Sequence, residues 1–77
     1  MTWKEVTTGI AGEMESWQNM RNGEVLSIEK VSRSRYQVIT LPENWKDDNQ
    51  VIELIDTTET LSQATVAAEA YRKGESE

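Results

Sequence analysis

Between residues 13 and 41, apolar and polar positions alternate in three short runs divided by two turn signals, Asn22-Gly23 and Arg33-Ser34. A period of two with punctuation predicts three antiparallel strands. Asn-Gly is the strongest short hairpin signal, because a type I′ turn needs positive φ at both central residues. With Asn22-Gly23 at the centre, Arg21 faces Glu24, Asn19 faces Leu26, Trp17 faces Ile28 and Glu15 faces Lys30. Two of those pairs carry opposite charges and one joins an aromatic to a β-branched side chain, each contributing about 0.2–1 kcal/mol. With Arg33-Ser34 at the centre of the second turn, Ile28 faces Ile39 and Leu26 faces Leu41. Neither Arg nor Ser favours positive φ, which leaves a longer turn open. Pro42 removes a ladder donor and ends the third strand.

Residues 43–50 form a polar stretch around Trp45, and the apolar run at 51–55 predicts a fourth strand, with Ile52 and Leu54 extending the core face. From Asp56 to Lys73 the period changes to that of a helix: Leu61, Ala64, Ala68 and Tyr71 make one stripe. Two capping boxes compete for its start, Asp56 with Glu59 and Thr60 with Gln63. Arg72 and Lys73 suit its negative end, and Gly74 offers a left-handed stop. Residues 2–12 are ambiguous. Trp3, Val6 and Ile10 fall at helical intervals, but the threonines, Trp3 and Val6 favour a strand and Gly9 and Gly12 interrupt any helix, so an extended segment is favoured.

The expectation is an α+β domain, an antiparallel β-meander of about four strands with a C-terminal α-helix packed on one face. One domain spans 1–77: an N-terminal segment 2–12 that can add a fifth strand, a sheet over 13–55, a helix over 57–73 and a frayed tail at 74–77. Trp17, Leu26, Ile28, Ile39, Leu41, Ile52 and Leu54 form the face beneath the helix. The opposite face carries Met14, Met20, Val25, Val31, Tyr36 and Val38, and is too apolar for a solvated surface. Either Trp3, Val6 and Ile10 fold back over it, or it is a docking surface for a protein partner or a second copy, or its apolar side chains are exposed without a role.

Seventy-seven residues without cysteine or histidine narrow the chemistry. A domain this size buries only about 60% of its unfolded surface. No disulfide can staple it and zinc would lack its usual ligands, so a homodimer or a partner is the remaining source of buried area. Asp47-Asp48-Asn49 offers oxygens to a hard cation but lacks the glycine and distal glutamate of an EF-hand loop, so no metal or cofactor is expected. Catalysis would rest on carboxylates such as Glu13 and Glu15, which share a strand face without a third group to tune them. The net charge of −6 disfavours contact with phosphate backbones. The charge is uneven: residues 21–42 hold four basic side chains to two acidic, whereas 43–60 hold six acids to one lysine. No apolar run reaches the ~20 residues of a membrane span, and the N-terminus lacks the pattern of a signal peptide. A cytoplasmic location is expected.

The strand-to-helix junction Asp56-Thr57-Thr58-Glu59-Thr60-Leu61-Ser62-Gln63-Ala64, following short antiparallel strands, is similar to that of small archaeal and bacterial β-sheet-plus-helix proteins of unknown function. The resemblance covers residues 13–73 as a pattern and implies their fold, with no functional residue carried over. The three-stranded sheet with a helix also resembles integrase-type DNA-binding domains, without their basic loading. The expected function is a small non-catalytic protein-interaction module that self-associates or binds a partner through Met14, Met20, Val25, Val31, Tyr36 and Val38. The alternative is a nucleic-acid-associated accessory protein using the basic turn of Lys30, Arg33, Arg35 and Tyr36.

Overall fold

A computed structural model of the chain describes residues 2–42 and 52–76. Five strands, β1 (Trp3–Val6), β2 (Glu13–Asn19), β3 (Val25–Ser32), β4 (Arg35–Leu41) and β5 (Glu53–Thr58), form one antiparallel sheet in the order β1-β2-β3-β4-β5, followed by helix α1 (Leu61–Ser76). The architecture is α+β, as expected, with five strands in place of about four. The extended option holds for residues 3–6, whose backbone pairs with β2 from Trp3 opposite Asn19 to Val6 opposite Ser16. The expected polar loop, with Trp45 and Asp47-Asp48-Asn49, lies outside the described residues, as does Val51.

The first hairpin does not use a type I′ turn. Asn19 N–H donates to Glu24 O and Gly23 N–H donates to Asn19 O, each at 2.7 Å, so Met20 to Gly23 form a four-residue loop. Only Gly23 has positive φ there, and Asn22 does not. The loop therefore spares Asn22 the left-handed conformation that an I′ turn imposes. Asn22 Oδ1 instead accepts from Glu24 N–H at 2.9 Å, and Asn19 Oδ1 accepts from Arg21 N–H at 2.8 Å. The register moves by two residues: Trp17 faces Leu26 and Glu15 faces Ile28. The expected Arg21–Glu24 and Glu15–Lys30 pairings do not form, but a shift of two keeps every side chain on its face, and Trp17, Leu26 and Ile28 still meet the helix.

The second hairpin turns at Arg33-Ser34 as expected, since Ser32 faces Arg35. A bulge at Val31 then displaces the register by one, so Ile28 faces Val38 and Leu26 faces Thr40. An offset of one exchanges the faces of a strand. Tyr36 and Val38 go beneath the helix, while Ile39 and Leu41 join Val25 on the other side. This corrects the expected sidedness of β4. A second bulge, at Ile55, places Asp56 opposite Val38 and Leu54 opposite Ile39. Leu54 and Ile52 are exposed and do not extend the core beneath the helix.

The helix begins at the second capping box: Gln63 N–H donates to Thr60 Oγ1 at 3.2 Å, and Gln63 Oε1 accepts from Glu59 N–H at 3.1 Å. Its competitor fails because Asp56 belongs to β5, which runs three residues past Ile55. Gly74 lies inside α1 and does not stop it. Ala64 and Ala68 are fully buried, flanked by Leu61, Ala67 and Tyr71, so their small side chains bring the helix close to Leu26, Ile28 and Val38. At its far end Arg72 stacks its guanidinium 4.1 Å from the centre of the Trp17 ring, Tyr71 meets Trp3 edge-on at 6.2 Å, and Tyr71 OH donates to Glu24 at 3.1 Å.

Candidate functional site

The densest polar constellation lies where the β1–β2 connection meets the sheet. Glu13 Oε2 accepts from Thr8 N–H at 2.8 Å, from Thr8 Oγ1 at 2.6 Å and from the Ser16 hydroxyl, while Oε1 accepts from Gly9 N–H at 3.3 Å. Ser16 and Ser27 hydroxyls pair at 2.9 Å beneath it. Burial works to raise the Glu13 carboxyl, but the hydrogen bonds from Ser16, Thr8 and Gly9 outweigh it and hold the group below the ordinary glutamate value. Its cross-strand neighbour Glu29 moves the other way, pushed up by burial and then by the charge of Glu13.

Two carboxylates with divergent proton affinities can serve as an acid and a base. Here, however, four donors occupy the Glu13 oxygens, and their geometry fastens residues 8–12. Glu13 and Glu15 do not share a face, because a bulge at Met14 lies between them. Glu15 faces Ile28, on the side of Trp17, and Glu13 faces Glu29 on the other.

The segment fastened by Glu13 carries Ile10, which packs against Val25, Ile39 and Leu41. Ile10 thus covers part of the face opposite the helix, whereas Trp3, expected to fold over that face with it, packs on the helix side against Tyr71. Of the six side chains expected to form one apolar docking face there, Val38 is fully buried and Tyr36 half-buried under the helix, and Val25 is buried near Ile10. Met14 and Val31 are exposed at bulges, and Met20 is exposed in the first hairpin loop. They do not make one continuous face.

The basic turn is assembled only in part. Lys30, Arg33 and Arg35 are exposed, and Arg35 lines an open depression of about 400 Å³ with Ser32, Ser34, Thr57, Thr58 and Glu59. Tyr36 packs against the core beneath the helix, so its ring is not presented beside the arginines for base stacking.

A different surface gathers exposed apolar side chains at the outer edge of the sheet. β5 pairs with β4 on one side, and no described strand pairs with its other side. Between β5 and α1 runs a groove of about 500 Å³ lined by Asp56, Thr58, Ser62, Gln63, Val66, Ala67 and Ala70. Val66 is 67% exposed on its wall, and Leu54 of β5, 55% exposed, projects on the face away from the helix. Sequence patterning missed this edge. Its one signal was Val66, an apolar residue off the Leu61-Ala64-Ala68-Tyr71 stripe.

No family model, curated protein or solved structure matches the chain. Among the described residues, no group of three acidic, histidine or cysteine side chains is placed to hold a metal ion, and no helix is long and apolar enough to cross a membrane.

Proposed function

We propose that this chain is a small non-catalytic module that binds another polypeptide, and that its contact surface is the β5 edge with the adjoining face of α1. The observation that carries this reading is the edge of β5, which no described strand pairs with, and the exposed apolar side chains on both of its flanks, Val66 on one and Leu54 on the other. An edge strand offers a row of free N–H and C=O groups, and proteins that leave one open beside apolar side chains use it or risk aggregation. The non-catalytic part of the reading is supported by the commitment of Glu13 to four donors. The broader face opposite the helix is the weaker candidate, because Ile10 packs against its Val25, Ile39 and Leu41.

The test is site-specific photocrosslinking in the native host, with a photoreactive residue at Val66, at Leu54 and, as a control, at Lys4. Discrete protein adducts from the first two positions and none from Lys4 are expected. Equal labelling at all three, or adducts only from a residue placed at Arg33, would overturn the assignment and point to the basic turn.

A further inference from the structure

We infer that the occupant of the β5 edge is an extended segment of another protein in which basic residues alternate with apolar ones, added as a sixth antiparallel strand. This deepens the interaction reading above and rests on it. Successive side chains of an added strand point to opposite faces of the sheet, and the two flanks of β5 differ in chemistry. On the helix side, the groove is lined by Val66, Ala67 and Ala70 with Asp56, Thr58, Ser62 and Gln63, where Asp56 Oδ1 accepts from Thr57 N–H and the Thr58 hydroxyl donates to Thr60 O. Glu53 faces Thr40 and therefore lies on that same side. A lysine or arginine fits such a slot, its aliphatic stem against Val66 and Ala70 and its cationic head at Asp56 or Glu53. On the opposite side Leu54 is exposed, with Ile52 exposed just before the strand, and these call for an apolar residue. One alternation satisfies both flanks.

Charge decides between this occupant and a second copy of the chain. β5 and the residue after it carry Glu53, Asp56 and Glu59 with no basic residue, and the whole chain has a net charge of −6. Two such edges brought together set acid near acid, which destabilises strand pairing. A basic segment gains from the same charges and approaches faster at low salt.

The experiment uses the full chain, ¹⁵N-labelled, and a capped peptide of valine alternating with lysine and arginine, matched in length to the six residues of β5. Binding is expected to shift the resonances of residues 52–58 and 66–70 and to slow exchange of the outward-facing β5 amides by about tenfold or more. The same peptide with glutamate for the basic residues should not bind, and Asp56→Lys should weaken the basic peptide and admit the acidic one. Four results would overturn the inference: shifts confined to other strands, no binding of the basic peptide, binding indifferent to Asp56→Lys, or concentration-dependent dimerisation that protects β5 without peptide. If crosslinks from Val66 capture a partner while the peptide leaves β5 unprotected, strand addition fails and the interaction reading survives. If no position crosslinks, that reading fails on its own.

Discussion

The segment that covers Val25, Ile39 and Leu41 is fixed at Gly12, and its cost of substitution can be worked from the geometry. Gly12 has φ of +85°, and a Cβ added there would lie 2.9 Å from the backbone oxygen of Lys30. Gly9 has nearly the same φ, +79°, but its added Cβ would meet nothing within 4 Å. Alanine at either position pays the left-handed penalty of about 1–2 kcal/mol, and each gains similarly from a stiffer unfolded chain. These shared effects cancel in the comparison. Gly12→Ala must also push β3 and the connection apart, straining the 2.8 Å bond from Lys30 N–H to Gly12 O. Losing that bond costs about 1 kcal/mol, and leaving its groups unpaired adds up to about 1–2 more. Gly12→Ala is therefore expected to be less stable than Gly9→Ala by about 1–3 kcal/mol. In a domain of this size each kcal/mol moves Tm by about 4–8 °C. Urea titration followed by tryptophan fluorescence, with both variants against the parent, measures the difference. Equal losses would refute the close approach of Gly12 to β3 and with it the placement of Ile10.

Three other outcomes are expected. Ala68→Leu should destabilise by about 1–3 kcal/mol through overpacking, whereas Ala70→Leu, at an exposed position on the same helix, should be nearly neutral; thermal melts decide, and parity between the two would unseat the helix. Arg72→Ala should cost about 0.5–1 kcal/mol and change Trp17 emission, since the guanidinium lies on its ring; an unchanged emission spectrum would argue against the stacking. Glu13 and Glu29 should give opposite signs of pH dependence, read from urea midpoints across a pH series. Folding lowers the proton affinity of Glu13, so its contribution is present above the ordinary glutamate value and drains as the pH falls through the depressed folded value. Glu13→Gln should lose stability at neutral pH and flatten the acid limb. Glu29 is raised, so its favourable contribution exists only in acid and is lost as the pH rises through the raised value; Glu29→Gln should exceed the parent at neutral pH and match it in acid.

The elements were largely legible because each carries a local signal: a period of two, a turn at Arg33-Ser34, a capping box at Thr60 and Gln63. Register was not, and the reason lies in β3 and β4. Val25-Leu26-Ser27-Ile28 and Val38-Ile39-Thr40-Leu41 are buried at every position, since the helix covers one face and Ile10 packs on the other. A strand buried on both sides has no polar face to fix its parity. Apolar residues at both parities allowed either alignment, and the Val31 bulge, which has no compositional marker, chose between them. The first hairpin survived its error because the four-residue loop displaced the register by an even number. The groove at the edge was invisible for a different reason: it exists only where α1 lies along β5, and the sequence pattern of the helix described the buried stripe and not what stands beside it.

The edge-on meeting of Trp3 and Tyr71 joins β1 to α1 across the sheet. Without α1, Trp17, Leu26, Ile28 and Val38 would have no cover on that face of the sheet. The sheet therefore depends on α1 to close its core, and a chain cut before Leu61 is expected to leave those side chains exposed and prone to association rather than to fold by itself.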